Sequence, residues 1–230
     1  MNTARVSLLL ISVFAVPPAT ADLAAVDLDP AACQTWAYPV LHTNHGWEFS
    51  MNESVEVTHL GLLDVGSSTN HPPEFTPDGF KLAHPIGIFK LDGTLVTSGT
   101  LLPGTGGIVQ GIFRYVSVPH AVLTPNVHYV VAYYTESYPY PDVDWAAFHM
   151  TTFQTHPAVN YINSRYNGAG GLALPTILED PNGVVPHRFG PNFLFVPEPG
   201  SSLLLTVLVT TLSRRRKAGH PDAVRGRRAG

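Results

Sequence analysis

Pro85-Ile86-Gly87-Ile88-Phe89-Lys90-Leu91-Asp92-Gly93-Thr94-Leu95 decides how this chain is read. Two runs rich in apolar residues flank an Asp-Gly pair. Asp-Gly between such runs favours a two-residue type I′ turn, because its positive φ angles match the twist of a hairpin. The stretch therefore predicts a strand over Pro85–Leu91, a tight turn at Asp92-Gly93, and a returning strand over Thr94–Leu102.

Working outward, the same texture repeats. Gly46-Trp47-Glu48-Phe49 alternates large apolar and polar residues and opens the first clear strand. Ser54–Leu63 follows, with Val55, Val57, His59 and Gly61 expected on one face and Glu56, Thr58, Leu60 and Leu62 on the other. Asp64–Asp78 reads as a loop. Phe113–Val118 puts Phe113 and Tyr115 on a core face against Arg114 and Val116. His128–Thr135, rich in aromatic and β-branched residues, predicts a central strand. Trp145–Met150 and Asn192–Val196 are weaker strands, and Tyr138–Asp144 and Asn167–Leu174 read as loops. No window carries a long 3.6-residue apolar period, turn residues recur at short intervals, and 21 Pro with 20 Gly leave little room for helices. The expected fold is all-β: a single antiparallel β-sandwich over residues 22–195, jelly-roll or immunoglobulin-like. That length is enough chain to bury one core.

Charge is divided along the chain. From Arg214 onward lie seven of the thirteen Lys and Arg with one acid, Asp222. Between Asp22 and Ser213, Lys81, Lys90, Arg114, Arg165 and Arg188 face sixteen acids, a net of −11. An acidic body argues against nucleic acid as a partner, since phosphate binding needs a basic footprint. The single cysteine, Cys33, cannot form an internal disulfide, and with no base near it in sequence it reads as an ordinary half-buried thiol.

Motifs of chemistry are sparse. The eleven His include no His-Glu-x-x-His, and no paired Cys supplies zinc spacing, so no metal and no cofactor are expected. His42 and His45 sit in an expected loop, where hydrogen bonding explains them better than a metal. There is no Gly-x-Ser-x-Gly elbow and no phosphate-cradling loop. The best candidate for a ligand is the stretch from Tyr138 to Trp145. Tyr138, Tyr140 and Trp145 could stack on sugar rings, and Asp142 and Asp144 could hold hydroxyls. Glu136, Asp142 or Asp144 could also serve as the acids of a glycan hydrolase. The simpler reading is a solvated loop.

Both ends read as delivery signals. Met1–Arg5 carries a positive charge, Val6–Val16 is apolar apart from Ser7 and Ser12, and Ala19-Thr20-Ala21 is a small-x-small cleavage site. Residues 1–21 are thus an expected secretory signal peptide, with Ala19 and Ala21 setting the cut. At the other end stand Val196-Pro197-Glu198-Pro199, the apolar stretch Leu203–Leu212, and Arg214-Arg215-Arg216-Lys217. The prolines forbid a helix through them, and Ser201 or Ser202 can cap one that starts beyond. The apolar stretch is shorter than the roughly 20 residues of a full span; read alone it fits a short hydrophobic helix with a temporary membrane hold or, given Thr206, Val207, Val209, Thr210 and Thr211, a buried strand. The four cations favour the cytoplasmic side. Residues 218–230 are a basic tail.

Val196–Lys217 resembles the PEP-CTERM sorting signal of Gram-negative bacteria. The resemblance implies recognition of Pro197-Glu198-Pro199 by an exosortase, with Val196 and Arg214, Arg215 and Arg216 completing the signal. It also implies a transient inner-membrane anchor, then a place at the cell surface or outside it, in company with exopolysaccharide. A second similarity joins Gly46-Trp47-Glu48-Phe49, Val57-Thr58-His59-Leu60-Gly61, Gly87-Ile88-Phe89, Asp92-Gly93-Thr94-Leu95, Phe113-Arg114-Tyr115-Val116 and Tyr129–Tyr134. In that order they look like β-sandwich domains that often accompany PEP-CTERM signals. Many of those carry an acidic Gly-rich loop after the second strand. The matching stretch here, Asp64–Asn70, keeps a single acid, so no calcium site is expected. A non-catalytic exported module is the function these features imply, with the glycan hydrolase as the alternative.

Overall fold

The computed structural model describes residues 22–29, 33–37, 42–64, 76–135, 147–150, 153–179 and 189–198. Among them every regular element is a strand, and the strands of each sheet pair antiparallel. In chain order they are β1 Leu23–Ala24, β2 Val26–Asp27, β3 Cys33–Ala37, β4 Thr43–Met51, β5 Val55–Leu63, β6 His84–Lys90, β7 Leu95–Leu101 and β8 Ile108–Gln110. There follow β9 Phe113–Leu123, β10 His128–Thr135, β11 Ala147–Met150, β12 Gln154–Thr155, β13 Val159–Gly168, β14 Ile177–Leu178 and β15 Pro191–Pro197. One sheet has the order β1-β15-β5-β9-β8, and a second has the order β14-β13-β4-β10-β6-β7. Two short ribbons, β11-β3 and β12-β2, complete the set. The all-β expectation holds.

The two large sheets share one core. Trp47 and Phe49 of β4 meet Phe193 of β15, with ring centroids 6.0 Å and 4.9 Å apart, and Trp47 donates from Nε1 to the Pro191 carbonyl at 2.7 Å. Tyr129, Val131 and Tyr133 of β10 join them, all buried. Burial of these large side chains is the main force holding the sheets, at roughly 1.5–3 kcal/mol for each buried aliphatic or aromatic group. On the other face of the six-stranded sheet, Phe89, Val130 and Ala132 form a small second cluster beneath Leu172 and Leu174. The segment after β13 is tied across this face by Asn44, which donates to the Gly171 carbonyl at 3.0 Å and accepts from the Ala173 N–H at 2.9 Å.

The opening hairpin is present, but its turn differs from the expected type. Gly93 has φ +88°, and Asp92 is absent from the positive-φ residues, so the turn is not type I′. The Gly93 N–H donates to the Lys90 carbonyl at 3.0 Å and the Lys90 N–H to the Thr94 carbonyl at 2.9 Å. This is a three-residue loop, Leu91-Asp92-Gly93, with the glycine in the left-handed bulge position that such loops require. Asp92 accepts the Thr94 N–H at 2.9 Å instead of supplying a positive φ.

The expected faces of β5 also need correction. Val55, Val57, Leu60 and Leu62 all enter the core, whereas Glu56 and His59 are half-buried. The alternation breaks at Thr58. Against β15, His59 pairs with Leu194 and Val57 with Phe195, so Thr58 is an extra residue in β5; against β9, Val57 pairs with Ala121 and His59 with Ser117, with extra residues of β9 around Pro119. A bulge shifts side-chain parity, and proline is tolerated there because the ladder needs no N–H from it. His45, expected in a loop, lies buried within β4. β10 occupies its expected interior place, between β4 and β6.

Candidate functional site

Strand register sorts the molecule into two poles. At one pole Pro197 pairs with Val55, Val55 with Leu123, and Met51 bridges to Pro125; Tyr129 then pairs with Lys90, next to the Leu91-Asp92-Gly93 tip. Leu23 pairs with Phe195, so the chain enters the sheet beside the place where it leaves. Both ends of the described body therefore lie at this near pole.

The Val196-Pro197-Glu198 stretch lies at the end of the fold's last strand. Val196 and Pro197 belong to β15, opposite Glu56 and Val55, and the Glu198 N–H donates to the Ser54 carbonyl at 3.3 Å. All three residues are half-buried. Pro197 has no N–H to continue the ladder, which is a local reason for the strand to end there. At the entry, Asp22 approaches Nδ1 of His59 at 3.4 Å. Ala19, Ala21, Pro199, Arg214, Arg215 and Arg216 lie outside the described residues, as do Glu136, Tyr138, Tyr140, Asp142, Asp144 and Trp145. β10 ends at Thr135, paired with Thr43 at the opposite pole.

That far pole is built around a buried ion pair that sequence reasoning missed. Arg114 donates to Asp64 Oδ2 from Nε and from Nη2, each at 2.6 Å, and both side chains are almost wholly buried. Nη1 donates to the Thr105 carbonyl at 2.5 Å, and Asp64 Oδ1 accepts the Gly79 N–H at 3.0 Å. Asp64, the one acid in the stretch compared with calcium-binding loops, is thus committed to structure. A buried charge stands only when paired and hydrogen-bonded. The sparsity of basic residues in the body was the available signal: an Arg inside an apolar strand needs an acid.

A second ionic group lies on the outer face of the six-stranded sheet. Glu48, nearly buried, accepts from Arg165 Nε at 2.8 Å through Oε2 and meets His128 Nδ1 at 2.7 Å through Oε1. It joins β4, β13 and β10 side by side. The two loop-expected histidines point to different partners, His42 Nδ1 to the Tyr134 hydroxyl at 3.1 Å and His45 Nε2 to Thr43 Oγ1 at 2.7 Å. Among the described residues no three His, Cys, Asp or Glu come together as a metal cage. Tyr115 lies against Gly61, where a Cβ would collide with its ring, and its hydroxyl accepts from Asn192 Nδ2 at 2.9 Å. Burial, and secondarily the charge of Asp27, pushes this phenol well above its ordinary value. A shallow cleft of about 240 Å³ opens beside Asp27, Asp29, Phe153 and Gln154.

No known protein family matches the chain, and no curated protein matches it.

Proposed function

We propose that residues 22–195 are a single antiparallel β-sandwich, jelly-roll or immunoglobulin-like, exported from a Gram-negative cell and not an enzyme. Its C-terminal signal, Val196–Lys217, is handled by an exosortase; the chain is held briefly at the inner membrane and ends at the cell surface or outside, in company with exopolysaccharide. One observation carries this reading. The body's entry and exit are neighbours, Leu23 opposite Phe195. A leader cut after Ala21 would leave a chain whose pairing starts at its second residue. A tail starting at Val196 would leave the sheet just beyond Pro197, where the ladder ends. Delivery signals at both ends then sit on one side of the body and disturb none of the core.

The test is recovery of the full chain from a Gram-negative host that has an exosortase, followed by mass spectrometry of both termini in each cell fraction. The expected product starts at Asp22 and is found in membrane or extracellular fractions. A cytosolic product retaining both Met1 and Gly230 would overturn the reading.

A further inference from the structure

The near pole carries apolar side chains where a soluble turn would carry polar ones. Leu91 stands in the tip of the three-residue loop at 43% exposure, and Leu95, two residues past that loop's end, is 48% exposed. Turn positions are ordinarily filled by Gly, Asn, Asp, Ser or Pro, so a leucine there has no local reason. Val122 is 45% exposed near the end of β9. β7 runs beside β9 in the opposite sense: Thr97 donates to the Pro119 carbonyl, and Gly99 lies against Val116 and Val118. The start of β7 therefore comes level with Val122. Leu91, Leu95 and Val122 share the pole with Pro197 and Glu198.

Covalent geometry brings the lipid close to this pole. The five residues from Glu198 to Ser202 separate the sheet from the apolar stretch beginning at Leu203, and they span at most about 18 Å. The geometry points to the near pole as a membrane-facing surface: while Leu203–Leu212 is held in a bilayer, Leu91 at the loop tip rests in the lipid interface, with Leu95 and Val122 at the same level on the outer faces of the two sheets. This rests on the membrane hold proposed above. The surrounding charges, Glu53 and Asp92 against Lys90, are on balance acidic, so the fitting surface has neutral headgroups, not anionic ones. A leucine at the interface and a short tether are also what would keep the pole turned to the membrane.

The test uses the full chain in phosphatidylcholine vesicles, with Cys33→Ser as background and a nitroxide label at Leu91→Cys or, for comparison, at Leu102→Cys. Leu102 is 68% exposed at the far end of β7, close to the opposite pole. Circular dichroism first checks that each labelled chain keeps its β signal. The expected result is cosedimentation with the vesicles, and a several-fold lower collision rate with a water-soluble nickel chelate at position 91 than at position 102. Cosedimentation with equal collision rates would overturn the surface and leave the membrane hold standing. A chain that stays in the supernatant would remove both.

Discussion

The two poles of this molecule are held by opposite means. At the far pole a buried guanidinium and carboxylate tie Asp64, Gly79, Thr105 and Arg114 into one charged knot. At the near pole the loops are joined by backbone bonds and amides: Asn126 N–H to the Met51 carbonyl, Asn52 Nδ2 to the Pro157 carbonyl, Glu198 N–H to the Ser54 carbonyl. Buried charge tolerates no loosening, because a separated pair leaves an uncompensated ion. Neutral bonds near the surface can be exchanged for water at little cost. The difference predicts that loosening costs more at the far pole than where the chain enters and leaves.

The sharpest way to break that contrast is at Arg114. Arg114→Met strands the Asp64 carboxylate and should cost about 3–5 kcal/mol, seen as a fall in the denaturant midpoint of purified body protein. A loss below 1 kcal/mol would mean that the knot is not the anchor of its pole. Tyr115→Phe comes next. It leaves one Asn192 N–H without its acceptor and should cost about 1–3 kcal/mol by the same measurement. The wild-type protein should also lose stability as pH rises past the ordinary phenol value, since the unfolded chain ionises there while buried Tyr115 does not. Tyr115→Phe should reduce that alkaline loss.

Smaller effects are expected at the near pole. Asp92 is fully exposed, and acceptance of the Thr94 N–H holds its carboxyl below the usual value. Its contribution is therefore complete above the ordinary aspartate value and fades as pH falls through the depressed one. Asp92→Ala should flatten the acid limb of a stability-against-pH curve, and an unchanged limb would show that the turn bond is unimportant. Leu91→Asp should change stability least, within about 0.5 kcal/mol, because a surface position away from caps and cores rarely does more. A larger loss would place Leu91 in the folding of the body and weaken its assignment to a lipid surface.

Sequence patterning made part of this structure legible. The hairpin around Asp92-Gly93 and the strand His128–Thr135 could be read because turn preference and β-branched, aromatic content act locally. β13 was not readable. Asn160, Asn163, Ser164, Arg165 and Asn167 depress its β propensity, yet it pairs along β4 because Arg165 finds Glu48 and Asn167 finds Asn44. The bulge at Thr58 is hidden too, since register depends on β15 and β9 together. Of the candidate site, the motif Val196-Pro197-Glu198 and a strand Asn192–Val196 leading into it are legible, but the pairing of that strand with β5 is not.

By itself the sequence determined the strand-rich character of the body, the acidic balance between Asp22 and Ser213, and the apolar and basic runs near the two ends. These are properties of composition and short windows, where each residue acts on its neighbours. Only the tertiary structure decided that Leu23 meets Phe195, that Asp64 serves Arg114, and that the ends share a pole with Leu91. Those facts join residues far apart in the chain, and pairing of that kind is settled by register and burial, which no local window contains.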